Sequence, residues 1–135
     1  MQINHGRVSG VPSDLRGPTF TGEVWADPLL RDVPGVMVNT VFFPPGARTN
    51  WHTHGQGQIL LVTHGRGLAL SESGGGAVLL PGDVVWFEAD ERHWHGAGPD
   101  TYLTHTAISL GGTDWQEAVT DEQHSDAVAR YGSPS

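Results

Sequence analysis

The chain alternates short apolar runs with clusters of turn-forming residues along most of its length. Runs such as VMVNTVFF, QILLVTH and TYLTHTAIS are rich in β-branched and aromatic residues, and clusters such as PPGARTN, SESGGG and ADER separate them. Runs of about 5–8 residues bounded by turn signals are typical of strands rather than helices. The pattern therefore predicts an all-β sandwich or barrel.

The pattern changes near the C-terminus, where two capping-box spacings occur. Thr113 with Gln116, and Thr120 with Gln123, each fit the arrangement in which side chains bind the first free N–H groups of a helix. This predicts one or two short helices within residues 114–131.

The predicted organisation is one domain with a flanking segment at each end. The length of 135 residues is close to the commonest domain size, and the chain has no long repeat or internal boundary. Residues 1–18 lack periodicity and are predicted to be an N-terminal arm that contacts a neighbouring subunit. The barrel is predicted to span 19–112, and a C-terminal helical segment and tail to span 113–135.

Composition and charge exclude several function classes. The formal net charge is −8 and the seven Lys and Arg residues are scattered, so we expect no nucleic-acid partner. No apolar run approaches the roughly 18 residues of a membrane span, and the start MQINHGRVSG lacks a signal-peptide pattern. We therefore expect a cytoplasmic protein without membrane contact. Because the chain has no cysteine, a metal site would have to use histidines, carboxylates or amides.

The segment NWHTHGQGQ contains a candidate pair of metal ligands. Side chains alternate between the two faces of an extended strand, so His52 and His54 project to the same side. After the turn GQG, the strand QILLVTH places Gln58 and His64 on one face with apolar residues between them. If that face lines the barrel, Gln58 can approach the same point as the two histidines.

Two further histidines, His93 and His95, follow a strand and a polar turn in PGDVVWFEADERHWHG. Three or four imidazoles and an amide on strands of one barrel suit a divalent transition metal. An amide in place of a carboxylate leaves the site more positive, which favours Lewis-acid chemistry over oxygen activation. The alternative is that Gln58 hydrogen-bonds a ligand histidine instead of binding the metal.

His105 is a candidate for proton transfer. It lies on the strand TYLTHTAIS, on a face that is otherwise small and apolar. A histidine in this setting is either a hydrogen-bonded core residue or, because the same interior would hold the metal, a group that gives and takes a proton.

The spacing of these residues resembles the cupin family. In GARTNWHTHGQGQILLVTHG, the first cupin motif is matched at every spacing, with Gln in place of the usual Glu, by Gly46, His52, His54, Gln58 and Gly65. The resemblance implies a cupin double-stranded β-helix, which is a jelly-roll barrel, with a short C-terminal helix.

The second cupin motif is matched less completely. Gly82 and His93 fit, whereas Glu88, Asp90 and Ala97 stand at the usual Pro, Gly and Asn positions. The family resemblance implies that the metal ligands are His52, His54, Gln58 and His93.

A closer resemblance is to the small bacterial cupins that include manganese-dependent hydroxynitrile lyases, and TGEVWADPLL, THTAI and DWQEAVTDEQ contribute to it. It implies one divalent transition metal per subunit, with Mn foremost and Fe, Zn, Ni or Co as alternatives. Small cupins commonly pair, so we expect a homodimer or homotetramer.

The same resemblance suggests the substrate pocket. Strand parity alone leaves open whether Asn39 and Val41 or Thr40 and Phe42 face inward, and the former pair matches the relatives. The expected pocket residues are Asn39, Val41, Thr49, His95 and Ser109. His95 would line the pocket either by supporting a ligand residue without touching the metal or as a further ligand, and a four-histidine site would follow if it replaced Gln58.

The resemblance implies a Lewis-acid C–C lyase that cleaves or forms cyanohydrins, with a small molecule bound in the barrel and His105 as the catalytic residue taking the hydroxyl proton. Ser109 stands where a lyase-like relative has a larger amide, which implies a wider pocket. Three alternatives are a cupin polyketide cyclase, a cupin dioxygenase, which Gln58 disfavours, and a non-catalytic cupin that binds a small molecule.

Overall fold

The strands of this chain form two curled antiparallel sheets, in a computed structural model that describes residues 1–7 and 11–133. Residues 8–10 of the predicted arm and 134–135 of the predicted tail lie outside the described residues. In chain order the elements are β1 (Asp14–Leu15), β2 (Phe20–Thr21), β3 (Trp25–Val33), β4 (Val36–Phe43), β5 (Arg48–Thr49), β6 (His52–His54), β7 (Gln58–Gly65), β8 (Gly67–Ser71), β9 (Gly75–Leu79), β10 (Val84–Phe87), β11 (His93–Ala97), β12 (Leu103–Leu110), β13 (Thr113–Trp115) and α1 (Asp121–Tyr131).

The first sheet has the strand order β1-β3-β4-β12-β7-β10. In the second sheet β11 pairs with β8 and also with β5 and β6, while β9 pairs with β8, β13 with β6, and β2 with β5. All of these pairings are antiparallel. The arrangement confirms the predicted jelly-roll barrel with one short C-terminal helix.

The three central strands of the first sheet bring the pocket candidates together. In the register of β12 with its two neighbours, His105 lies opposite Val41 on β4 and Val62 on β7. Ser109 lies opposite Gln58. β12 therefore places His105 beside the pocket candidate Val41 and Ser109 beside the ligand candidate Gln58.

Burial shows which side chains of β4 face the barrel interior. Val41 is buried, whereas the Phe42 side chain is 40% exposed on the outer face. Asn39 and Val41 therefore face the barrel interior, and Thr40 and Phe42 do not.

The expectation that His64 shares a face with Gln58 is wrong. Gln58 is buried and His64 is exposed. The pairing of β12 with β7 shifts register between Thr104 and His105, and this bulge interrupts the alternation.

The apolar side chains form two clusters. One fills the barrel interior beside the pocket and includes the fully buried side chains of Val24, Phe43, Leu60 and Leu103. The second packs the helix against the second sheet and consists of Trp51, Leu68, Trp94, Val119 and Ala127.

The C-terminal region contains one helix, preceded by a strand. Thr120 caps α1 and forms the predicted capping box with Gln123. The interpretation of Thr113 as a second helix cap is wrong, because Thr113 starts β13, which pairs with the edge of β6. Its hydroxyl lies 3.0 Å from Nδ1 of His54 instead of capping a helix.

The flanking regions are joined to the barrel by strand pairing. β1 pairs with β3, and β13 pairs with β6, so both sheets extend beyond the predicted boundaries of 19–112. The division into arm, barrel and tail stays a prediction. Within residues 1–7 and 11–133, no helix has the length and hydropathy needed to cross a bilayer.

The outer face of the first sheet exposes several large apolar side chains. Trp25 lies opposite Phe42 across the sheet, and the Phe42 and Tyr102 rings stack with their centroids 5.7 Å apart. Trp86 is also 47% exposed. Exposed apolar patches of this kind often mark association surfaces. The homodimer or homotetramer stays a prediction.

Candidate metal centre and pocket

Two turn glycines of the first motif have backbone conformations that favour glycine. Gly46 and Gly65 have φ values of 81° and 79°, in the left-handed region where a side chain is unfavourable. At Gly65 a Cβ atom would also lie only 2.0 Å from the carbonyl oxygen of Tyr102. Gly65 thus lets the end of β7 approach the start of β12, two strands that carry site residues.

Three of the predicted ligand histidines lie side by side. His52 and His54 are on β6, and His93 on β11 is paired directly with His52. The His52 ring centroid is 4.9 Å from that of His54 and 4.2 Å from that of His93. All three side chains are buried, so the second sheet gathers three imidazoles in one place.

Backbone carbonyls hold two of these rings in one tautomer. Nδ1 of His52 donates to the Asn50 carbonyl and Nδ1 of His93 donates to the Glu91 carbonyl, each at 2.8 Å. Burial lowers the pKa of His93 to about 4 and the pKa of His52 well below its ordinary value. Both rings are therefore neutral at pH 7, and because their proton is on Nδ1, Nε2 presents a lone pair.

His54 follows the same arrangement with a side-chain partner. Its Nδ1 lies 3.0 Å from the Thr113 hydroxyl oxygen, which can accept the Nδ1 proton. Burial lowers the pKa of His54 to about 4. Within the described residues, Nε2 of both His52 and His54 is buried without a hydrogen-bond partner. Buried polar atoms are normally paired, so these nitrogens are suited to a bound cation.

Gln58 completes this group in an orientation that fits a metal. Its Nε2 donates to the Ser109 hydroxyl at 3.1 Å, which turns Oε1 toward Nε2 of His93, also at 3.1 Å. Because His93 carries its proton on Nδ1, these two facing atoms are both acceptors and cannot form a hydrogen bond. A separation of about 3 Å is expected for neighbouring ligands whose bonds to one ion are roughly 2.1 Å long. The donor set thus fits a divalent metal.

The most compact histidine trio differs from the predicted ligand set. The candidate ligand nitrogens of His52, His93 and His95 all lie within 4.8 Å of one another. That trio includes His95 and omits His54. The His54 ring is also near, with its centroid 4.9 Å from that of His52 and 5.5 Å from that of His93. The ligand set stays a prediction, and His95 is close enough to be considered with it.

His95 forms a hydrogen-bonded pair with His105. Nδ1 of His95 and Nε2 of His105 are 3.0 Å apart, and both side chains are buried. Burial lowers the pKa of His105 to about 4 and the pKa of His95 well below its ordinary value, so both rings are neutral at pH 7. The two outer nitrogens, Nε2 of His95 and Nδ1 of His105, have no hydrogen-bond partner among residues 1–7 and 11–133.

A cavity of about 310 Å³ lies against the candidate centre and the histidine pair. His52, His54, Gln58 and His105 line it. All five predicted pocket residues also line it, namely Asn39, Val41, Thr49, His95 and Ser109. The sequence and the structure therefore place the same side chains around one space, and their roles stay predictions.

Comparison with known proteins decides the family. A model of the cupin domain matches residues 39–104. An (R)-mandelonitrile lyase from Granulicella tundricola is 51% identical over 123 residues, which cover 85% of this chain and 94% of that enzyme. The chain belongs to the cupin family.

Solved structures agree with this assignment. The cupin is similar to a cupin-like protein from Thermotoga maritima, with a TM-score of 0.77 and 37% identity, over 94% of this chain and 95% of that one. It is also similar to the polyketide cyclase RemF from Streptomyces resistomycificus, with a TM-score of 0.68 and 16% identity, over 87% and 89% of the two chains. At 16% identity the likeness shows the fold alone.

Several residues of the site in this cupin are absent from the sequence-based prediction. Thr113, which contacts His54, has the spacing of a helix cap, and that pattern hides its role. Arg16, Phe20 and Trp115 line the cavity from segments near the two ends of the chain. No motif marks them, because strand pairing brings those segments to the pocket. The pairing of β1 with β3 and the hydrogen bond from the Arg16 N–H to the Val24 carbonyl position Arg16, whereas the pairings of β2 with β5 and of β13 with β6 position Phe20 and Trp115.

Proposed function

We propose that this cupin is a metal-dependent hydroxynitrile lyase, which cleaves a cyanohydrin to a carbonyl compound and cyanide and catalyses the reverse addition. The observation that carries the proposal is the His95–His105 pair, which lines the same cavity as the candidate ligands His52, His54 and Gln58. The 51% identity to an (R)-mandelonitrile lyase supports the same reaction class.

The metal would be held by His52, His54, Gln58 and His93, with Mn as the first candidate and Fe, Zn, Ni or Co as alternatives. When bound, it supplies Lewis acidity for the substrate oxygen. All four of these side chains are neutral donors, since three are uncharged imidazoles and the fourth is an amide. They leave the charge of a divalent ion undiminished, which suits Lewis-acid chemistry.

The histidine pair can supply both a base and an acid. Two neutral imidazoles carry two N–H protons, and one of these lies in the hydrogen bond between Nδ1 of His95 and Nε2 of His105. If His105 donates that proton, its Nδ1 is a free base and Nε2 of His95 carries the other proton. If His95 donates, the two outer roles are exchanged. Either way, one outer nitrogen accepts a proton while the other can give one.

The bond changes of the lyase reaction match this pair. Removal of the hydroxyl proton by His105 lets the C–O bond become a carbonyl as the C–C bond breaks, and the electron pair of that bond leaves with cyanide. The N–H of His95 can then protonate the cyanide. Because both side chains are buried, the proton is exchanged within the cavity rather than with bulk water.

Cyanide release from mandelonitrile by protein reconstituted with Mn tests the proposal. We expect release above the rate in buffer, and we expect metal removal by a chelator to abolish the difference. No release by fully metallated protein across aromatic and aliphatic cyanohydrins would contradict the lyase assignment.

The alternatives give different outcomes in the same experiment. A cupin dioxygenase would consume oxygen with its substrate, a polyketide cyclase would close a polyketone by aldol chemistry, and a binding protein would bind small molecules without turning them over. Oxygen uptake and product analysis on the metallated protein therefore separate these classes.

A further inference from the structure

One arginine lines the cavity and is not among the candidate metal ligands. Arg16 lines the cavity and is half-buried, and its guanidinium carbon lies 5.6 Å from the centroid of the Phe20 ring. Within residues 1–7 and 11–133, no carboxylate lies within 4.0 Å of this guanidinium, and its N–H groups make no side-chain hydrogen bond.

The remainder of the cavity wall contains no opposing charge. None of the residues that the structure places around the cavity is an aspartate or a glutamate, although the chain has 15 of them. The four lining histidines are His52, His54, His95 and His105, and all are neutral at pH 7. In a chain of net charge −8, the wall of this cavity therefore carries a net positive charge through Arg16. A half-buried cation without a partner favours an anionic ligand.

Aromatic rings connect the arginine to the histidine pair. The Phe20 centroid is 6.2 Å from that of Phe43, and the Phe43 centroid is 5.2 Å from that of His105. The Trp115 ring centroid lies 5.4 Å from that of Phe20 and 4.6 Å from that of His52. A flat substituent can lie along these rings with one end near the imidazoles and the other near Arg16.

We propose that Arg16 forms an anion subsite that binds a carboxylate on the substrate, at the end remote from the reacting carbon. The natural substrate would be a carboxylated aryl aldehyde or its cyanohydrin. This inference rests on the proposed lyase function for the reacting end of the substrate, whereas the anion subsite itself depends only on the cavity. Phe20 would hold the guanidinium over its ring and support the aryl group.

Binding measurements test the subsite without relying on turnover. Isothermal titration of the metal-loaded protein with 4-formylbenzoate and with the uncharged 4-formylbenzamide compares an anion with a near-isosteric neutral probe. We expect the carboxylate to bind roughly tenfold more tightly, as a charge-assisted hydrogen bond would give. Arg16→Gln should abolish this preference, Arg16→Lys should retain part of it, and raising the salt concentration should weaken it.

Arg7→Gln is the matched control, because Arg7 pairs with Asp27 and does not line the cavity. It removes the same charge and should leave the preference intact. Equal binding of the two probes to the unaltered protein would overturn the proposal. A preference that persists in Arg16→Gln would also overturn it, since the carboxylate would then bind the metal. A preference that depends on Arg16 without cyanide release would preserve the subsite and contradict only the lyase assignment.

Discussion

The five buried histidines of the cavity region fall into two groups that are anchored differently. His52, His54 and His93 each direct Nδ1 to an oxygen atom, which is a carbonyl for two of them and the Thr113 hydroxyl for the third. His95 and His105 instead bind each other. Burial lowers the pKa in both groups, so the neighbouring atoms rather than the charge distinguish them.

The difference in partners implies a difference in chemistry. A carbonyl can only accept, so it fixes the proton on Nδ1 of His52 and His93 and leaves Nε2 as a lone pair, which is the form that binds a metal; the Thr113 hydroxyl can accept the same proton from His54. An imidazole can accept or donate, so a histidine pair retains two proton arrangements. The anchored group is thus suited to hold an ion, and the paired group is suited to move a proton.

The largest effect should come from removing an anchored histidine. We expect His93→Ala to lose the metal and with it all cyanide release, because this change removes a ligand and the atom facing Gln58. Elemental analysis after dialysis measures the loss. His64→Ala removes an exposed histidine and should keep the full metal content. Retention of one metal per chain in His93→Ala would contradict the assignment of the anchored group.

Removing a member of the pair should affect turnover and leave the metal in place. His105→Gln retains an amide that can hydrogen-bond His95 but has no basic nitrogen. We expect the rate of cyanide release to fall by roughly 10²–10⁴, the range for loss of general acid–base catalysis. Unchanged metal content with this loss would separate the two groups, whereas loss of metal would place His105 with the anchored group.

The sequence predicts the anchored group better than the pair. His52 and His54 share one short strand and belong to the first motif, and His93 has a fixed distance from Gly82 in the second, so linear motifs can specify the three residues. The partner of His105 is set by the packing of β11 on one sheet against β12 on the other. Such contacts between distant segments have no linear signature, and the same holds for Thr113 and Arg16.

The fold was predictable for a related reason. Short runs in which apolar and polar residues alternate, separated by turn clusters, indicate strands wherever one face of a sheet is buried and the other meets solvent. The errors occur where tertiary contacts override local preference. The free edge of β6 takes Thr113 into a strand, and the bulge between β12 and β7 turns His64 outward.

Protonation should destabilise the protein, because both groups are buried as neutral rings. The pKa of His105 is about 4, against an ordinary value of 6.5, so between these values the unfolded chain binds more protons than the folded one. The contribution of neutral His105 to the free energy of unfolding is therefore at its full value above pH 6.5, and it decreases as the pH falls toward 4. His105 alone would account for about 3 kcal/mol of that loss.

Urea unfolding of the metal-free protein between pH 7 and pH 4 measures this dependence. His105→Gln should make the slope with pH shallower. His64→Gln, which removes an exposed imidazole, should leave the slope unchanged. An equal slope in all three proteins would show that His105 is not buried as a neutral ring.

The smallest effect concerns the charge of the anchored group. Gln58→Glu would place a carboxylate against the three imidazoles and lower the net charge of a divalent site from about +2 to +1. We expect tighter metal binding together with cyanide release slower by roughly tenfold, because a less positive site polarises the substrate oxygen less.

Gln56→Glu makes the same change at an exposed position of the adjoining turn and should alter neither property. Titration with Mn and steady-state rates measure the two effects separately. If Gln58→Glu bound metal more tightly at unchanged turnover, the amide would matter for holding the ion and not for its Lewis acidity, and the chemical reason for glutamine at this position would have to be sought in its hydrogen bond to Ser109.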